Sequence, residues 1–325
     1  MTVNIHVGDA LSVLRGLPDR SAQCGVTSPP YFGLRNYGHI GQIGLEELPE
    51  QYIAKLVDVF REVRRVLTDD GVLWVNIGDS YADGTIDGLK QKDLIGIPWM
   101  LAFALRGDGW YLRQDIIWHK PNPMPESVRD RCTKAHEYVF LLSKSPRYFI
   151  DPEGMKEPAT GQIAGNVQPV KGVEHDGEKH RTRTGLHKYA ERRRSARDSF
   201  KRDGSKRAEP IPGQSVGTHR AERDESSWDV ASRNRRSVWS VATQPFKGAH
   251  FATFPPALIE PCILAGSRPG DVILDPFLGS GTTALVADRL GRNAVGIELN
   301  RDYAELARQR ITVEAAMFAD VRVAA

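Results

Sequence analysis

The sequence predicts an α/β protein: a mostly parallel sheet covered by helices on both faces. Three observations carry the prediction. Short apolar runs alternate with helical patterns over residues 1–150 and again after residue 237. The 325 residues are 40% hydrophobic and 26% charged, an ordinary globular balance with ample material for a core. Between the two alternating regions lies a basic, apolar-poor stretch that cannot bury a core of its own. We therefore expect one α/β domain interrupted by an insertion. Residues 1–152 form one half, 153–236 the insertion, and 237–325 the other half.

The elements follow in order. Asp9 precedes Ala10–Leu14, a short helix that it is placed to cap. Gln23–Val26 ends a strand. Gln51–Leu67 places Ile53, Leu56, Val57, Phe60, Val63 and Leu67 on one helical face, and Gly71 follows as a stop. Residues 72–78 (VLWVNIG) read as a buried strand, Ile97–Leu105 as a helix, and Tyr111–Trp118 and Tyr138–Ser143 as strands. Past the insertion, PALIEPCILA is apolar and helix-like. Residues 272–275 (VILD) are a strand, Thr282–Leu290 a helix, 293–299 a strand and Tyr303–Val313 a helix.

The composition excludes a collagen, a coiled coil and a wholly disordered chain. No run approaches the roughly 18 apolar residues of a membrane span, and the first residues lack the pattern of a signal peptide. Cys24, Cys132 and Cys262 form no CxxC, and His119, His136, His175, His180 and His187 have no ligand spacing with them. We expect no metal and a reducing, cytoplasmic setting. The net charge of +3 hides an asymmetry. Residues 181–236 hold 16 Lys and Arg against 8 Asp and Glu, a net of +8; the remainder holds 28 against 33, a net of −5. Such a segment is either a solvated loop or a nucleic-acid contact. Arg192, Arg193 and Arg194 are its densest cluster, expected to touch phosphates rather than bases.

Two motifs carry chemistry. Asp275-Pro-Phe-Leu-Gly-Ser-Gly-Thr-Thr283 joins a strand to a helix. Its glycines admit a ligand close to the backbone, the helix start favours a negative group, and Glu298 ends the next strand 23 residues after Asp275. An acidic residue at about that spacing accepts from ribose hydroxyls in nucleotide folds. The second motif is Thr27-Ser28-Pro29-Pro30-Tyr31. The prolines lack N–H donors but keep carbonyl acceptors. Ser28 adds an acceptor and Tyr31 an aromatic face. The set suits a flat group bearing an amino donor, such as a base flipped from DNA.

Together these residues resemble the amino-group DNA methyltransferases that use S-adenosylmethionine. SPPY is similar to their catalytic motif, and DPFLGSGTT with VGIEL to their cofactor motif. WVNIGDSY (74–81), residues 118–144 and HFATFP (250–255) resemble further family segments, the second of them a support for the target-base pocket. Phe251 departs from the family pattern, which commonly has proline there. The catalytic motif precedes the cofactor motif, which is the circularly permuted, beta-class order. The resemblance implies a Rossmann-like methyltransferase sheet, with the insertion as target-recognition region. It implies that Ser28, Pro29, Pro30 and Tyr31 engage the target base. Asp275, Phe277, Gly279, Ser280, Gly281 and Thr282 would line the cofactor, and Glu298 would hold its ribose. Asp9 and Asp79 are further cofactor candidates, each with capping as its alternative. The SPPY form is associated with cytosine and the DPPY form with adenine, so N4-methylcytosine is favoured, with adenine the alternative. The implied partner is double-stranded DNA, with room for a homodimer and for a cognate restriction endonuclease. Ring-carbon methylation from Cys262, a non-catalytic DNA-binding module and an RNA substrate are the competing readings.

Overall fold

A computed structural model describes residues 1–34, 41–84, 88–158, 232–244, 254–314 and 320–324. The Arg192–Arg194 cluster, most of the insertion and residues 250–253 of HFATFP lie outside the described residues. The chain divides into a unit of Met1–Glu157 with Asn234–Ala325, and a second unit, Pro158–Arg233.

The first unit is built on β1 (Thr2–Val7), α1 (Ala10–Gly16), β2 (Ala22–Thr27), α2 (Pro49–Val66), β3 (Leu67–Ile77), α3 (Ile97–Gly107), β4 (Tyr111–His119) and β5 (His136–Ser143). The short strands β6 (Lys156–Pro158) and β7 (Ser232–Asn234) lie near the two ends of the insertion. The chain continues through β8 (Val238–Ser240), α4 (Pro256–Gly266), β9 (Val272–Asp275), α5 (Thr282–Arg289), β10 (Asn293–Glu298), α6 (Arg301–Glu314) and β11 (Asp320–Ala324). Nine strands form one sheet in the order β11-β1-β10-β9-β2-β3-β5-β4-β8. All neighbours pair in parallel except β5, which runs against both β3 and β4.

The central strands β2 and β3 are buried on both faces, as strands covered by helices on each side must be. Along β3, Val72 and Trp74 enter one core with Ile259, Ile263 and Leu285 of α4 and α5. Leu73, Val75 and Ile77, alternating with them, enter the other core with Leu56, Phe60 and Leu101 of α2 and α3. The period of 2 along the strand thus meets a helical layer on each side. In α2 the predicted stripe holds: Ile53, Leu56, Phe60 and Val63 are buried, while Val57 packs at the margin. The helix begins with Pro49, whose missing N–H is no loss in a first turn. It ends at Val66, and Gly71 is not its stop. Gly71 lies instead in the irregular start of β3, where pairing with β2 shifts from Ala22–Leu67 to Cys24–Val72.

The topology singles out one edge of the sheet. β9 and β2 lie side by side at the centre, and the chain leaves them in opposite directions: β9 through α5 to β10, β2 through α2 to β3. Open α/β sheets bind ligands outside the carboxyl ends of the strands at such a switch point. The carboxyl ends of β1, β2, β3, β4, β9 and β10 share that edge, and so does the amino end of the reversed β5.

Candidate active site

One cavity of about 850 Å³ opens at this edge, and both motifs line it. Ser28, Pro29, Pro30 and Tyr31 form one side; Phe277, Leu278, Gly279, Ser280 and Thr282 form another. Asp9, Glu298, Asn300 and Tyr303 complete the wall beside the glycine turn. Trp118, Lys120, Asn122 and Glu137, from the ends of β4 and β5, complete the wall beside SPPY. The two motifs stand 244 residues apart at their nearest ends (Tyr31 and Asp275), yet the fold delivers them to one space.

The glycine turn is braced from three directions. Gly279 and Gly281 have φ of 54° and 82°, the left-handed region that side chains rarely adopt. A Cβ on Gly281 would stand 2.9 Å from that of Ala307 on α6. Gly281 caps α5 and is not among the residues lining the cavity. Glu298 accepts the Gly279 N–H at 2.8 Å on one oxygen and the Asn300 N–H at 2.8 Å on the other. Arg310, reaching from α6, donates to the Ser280 carbonyl (3.2 Å), the Ser280 hydroxyl (3.2 Å) and the Thr282 hydroxyl (2.9 Å). Sequence reading missed Arg310, because nothing local connects it to a turn 30 residues earlier.

Asp275 lies beneath the turn rather than in the cavity. It is 2% exposed and does not line the space. Its Oδ1 accepts the Thr27 hydroxyl (2.6 Å) and the Phe277 N–H (3.0 Å), and its Oδ2 the Thr283 hydroxyl (2.6 Å). Burial pushes its carboxyl up to about 6, against the pull of these hydrogen bonds. Asp275 therefore ties the last residue of β2, next to Ser28, to the glycine turn. Asp9 lines the cavity and also caps α1, its Oδ1 accepting the Ser12 N–H at 2.9 Å. Asp79 does not line the cavity. Its Oδ1 accepts the N–H groups of Ser80 (3.0 Å), Gly96 (2.9 Å) and Ile97 (3.1 Å), so the capping alternative is what the structure displays.

SPPY is held as firmly, with one departure from expectation. The Pro30 carbonyl accepts from the hydroxyl of Tyr52 at 2.8 Å. Tyr52 is fully buried in α2 and must satisfy its hydroxyl somewhere. Ser28 and Pro29 remain as the acceptors of the motif that line the cavity. The Tyr31 hydroxyl donates to Glu137 at 2.6 Å, which fixes the ring's orientation. Burial raises the Tyr31 phenol far above its usual value, and the adjacent Glu137 charge adds to the effect. Gly78 gives the ring room: a Cβ there would stand 2.7 Å from Tyr31 Cε2. The loop facing SPPY is pinned by Glu46, which accepts the Gly44 N–H (2.8 Å) and pairs with Lys55 of α2 (2.8 Å).

Cys262 is buried in α4, away from the cavity, and burial raises its thiol well above the ordinary value. That is the opposite of what an attacking thiolate needs. Among the described residues no group of three or more His, Cys, Asp or Glu is placed to hold a metal ion. No described helix is long and apolar enough to cross a membrane.

Comparison with known proteins agrees with this geometry. The Type II methyltransferase M.SmaI of Serratia marcescens is 45% identical over 328 residues, covering 94% of this chain and 90% of its own length. The structure of TTHA0409 from Thermus thermophilus, solved in complex with S-adenosyl-L-methionine, superposes with a TM-score of 0.59 at 25% identity, covering 99% of each chain. The PvuII DNA methyltransferase, described as cytosine-N4-specific, shares the fold with a TM-score of 0.60 at 17% identity, over 97% of this chain and 93% of its own. A family model for DNA methylases matches residues 22–309. With SPPY and the glycine turn lining one cavity at the sheet's switch point, the chain belongs to the DNA methylase family.

Proposed function

We propose that this DNA methylase transfers the methyl group of S-adenosylmethionine to the exocyclic N4 of a cytosine flipped out of duplex DNA, at a specific sequence. The observation that carries the reading is that SPPY and the glycine turn line the same cavity. The cavity's chemistry fits the cofactor. A helix start beside a glycine turn suits a carboxylate, Phe277 supplies an apolar wall, and the Glu298 carboxylate stands in the wall beside the turn. Phe277, Gly279, Ser280, Thr282 and Glu298 would hold it, together with Asp9. Asp275 and Gly281 would shape the turn from outside the cavity. When bound, the cofactor supplies a methyl group on a positively charged sulfur, ready for attack by a nucleophile.

The chain's own task is to make a poor nucleophile attack. The lone pair of the cytosine amino group is delocalised into the ring. Ser28 Oγ and the Pro29 carbonyl would accept its two hydrogens and favour the pyramidal nitrogen that attack requires. The nitrogen becomes cationic as it takes the methyl, and sheds as a proton one of the hydrogens already directed at these acceptors. The Tyr31 ring, fixed through Glu137, would position the base. A stacked base cannot reach a cavity of this kind, so flipping is part of the proposal. Ser28 is neutral where the adenine-associated motif form has an aspartate, which favours cytosine. The basic insertion, including Arg192, Arg193 and Arg194, would supply phosphate contacts and target choice. The likeness to a Type II methyltransferase supports a cognate restriction endonuclease as a cellular partner. Expression in a methylation-free host, followed by sequencing of native DNA, tests the reading. It should reveal 4-methylcytosine at one short sequence; unmodified DNA or 6-methyladenine would overturn it.

A further inference from the structure

The hydroxyls of the glycine turn are constrained beyond what bracing requires. Ser280 and Thr282 are only 1% and 4% exposed, yet both line the cavity. Each hydroxyl accepts from the same nitrogen of Arg310, Nη1, at 3.2 Å for Ser280 and 2.9 Å for Thr282. The Ser280 carbonyl accepts from that nitrogen too, at 3.2 Å. Arg310 does not line the cavity; it reaches the turn from α6, with its side chain 14% exposed and its Nε on Glu314 at 3.2 Å. A hydroxyl has one hydrogen to donate, and a guanidinium has donors only. Arg310 therefore occupies a lone pair on each hydroxyl and can receive neither hydrogen. Among the described residues no other protein group receives them. Buried hydroxyls find acceptors, and the cavity that these two line is the space left for one.

We infer that Arg310 positions the carboxylate of the methyl donor: by occupying the oxygens of Ser280 and Thr282, it leaves both hydroxyls as donors to that group. The inference rests on the cofactor placement proposed above, with S-adenosylmethionine beside the glycine turn. At the methionine end of the cofactor the ammonium is a donor only and the carboxylate an acceptor only. Hydroxyls made into donors by a cation fit the second and not the first. Thr282 is also the first residue of α5. The start of that helix and the charge of Arg310 favour the same negative group, and hydrogen bonds to an ionised acceptor are the stronger kind. Arg310 is thus a positioning residue, acting on the cofactor through two hydroxyls.

The test is calorimetric titration of the full-length protein with S-adenosylmethionine and with its decarboxylated form. The second ligand keeps the ammonium, the sulfonium and the nucleoside and lacks only the carboxylate. The native protein should bind S-adenosylmethionine more tightly by about tenfold or more, the size of one hydrogen bond to a charged group. Arg310→Met should lose most of that preference. Arg310→Lys restores a cation that only donates, and should keep more of it than the Met variant. Ser280→Ala combined with Thr282→Val should lose the preference as Arg310→Met does. The triple variant should lose little more, because the arginine and the hydroxyls act as one unit. Loosening of the turn alone would weaken both ligands alike and leave their ratio unchanged. A native-like ratio in folded Arg310→Met overturns the role of Arg310 while leaving the cofactor placement intact. If that variant fails to fold, a native-like ratio in the Ser280→Ala/Thr282→Val protein does the same. Equal binding of the two ligands by the native protein overturns the inference together with the placement of the carboxylate at the turn.

Discussion

Replacing Asp275 with asparagine should stabilise the protein increasingly as the pH rises from 5 to 7.5. Burial raises this carboxyl from 3.8 to about 6, with hydrogen bonds from Thr27, Thr283 and the Phe277 N–H acting the other way. A carboxyl raised in the folded state holds its proton more tightly there than in the unfolded chain. The associated stability is fully present below the unfolded value and is lost as the pH rises through about 6. Raising the carboxyl from 3.8 to about 6 corresponds to about 3 kcal/mol. Roughly half of that falls between pH 5 and pH 7.5. Asparagine has no such titration. Its carbonyl accepts one threonine hydroxyl and its amide donates to the other, since a hydroxyl both donates and accepts. Urea unfolding of both proteins at pH 5 and pH 7.5 measures the difference. Over that interval the variant should gain on the native protein by roughly half of the 3 kcal/mol. A difference between the two proteins that stays the same at pH 5 and pH 7.5 would show that the hydrogen bonds outweigh burial, because a carboxyl not raised above 3.8 is already ionised in both states across that interval.

Three other perturbations separate the parts of the site. Ser28→Ala should keep S-adenosylmethionine affinity and lose most methyl transfer; near-normal turnover would remove Ser28 from the mechanism. Gly279→Val puts a branched side chain at φ 54°, a region costing about 1–2 kcal/mol even for a simple side chain. It should abolish cofactor binding in calorimetric titration, and unchanged affinity in a folded variant would misplace the cofactor. Replacing Arg192, Arg193 and Arg194 together with alanine should weaken binding to every DNA sequence and flatten its salt dependence, by about 0.9 in log–log slope for each phosphate no longer neutralised. Fluorescence anisotropy at several salt concentrations reads both, and an unchanged slope would leave the cluster a solvated surface.

The parts of this molecule legible in its sequence are those with local signals. The stripe on α2 shows at helical spacing, and β3, β9 and β10 show as apolar runs. DPFLGSGTT announces its turn because two glycines sit between a strand and a helix. The edge strands β8 and β11 have little to show, being three and five residues long and largely exposed. The reversal of β5 had a signal that went unread: the proline-rich link after β4 has no helical pattern, and a parallel return needs a crossover, usually helical. The bracing of the site was not legible at all. Tyr52 on Pro30, Glu137 on Tyr31 and Arg310 on Ser280 join residues 22, 106 and 30 positions apart. Only tertiary packing brings them together. Asp275 and Asp79 show the converse limit, since an acidic residue in a motif reads alike whether it faces a ligand or satisfies backbone N–H groups.

The most direct test of the account is to identify the nucleoside that receives the methyl group. Purified protein is incubated with S-adenosylmethionine carrying an isotope-labelled methyl and with unmethylated duplex DNA. The DNA is then digested to nucleosides for mass spectrometry. The account predicts the label in 4-methyl-2′-deoxycytidine, and its loss with Ser28→Ala. Label in 6-methyl-2′-deoxyadenosine, in 5-methyl-2′-deoxycytidine or in no nucleoside would contradict it.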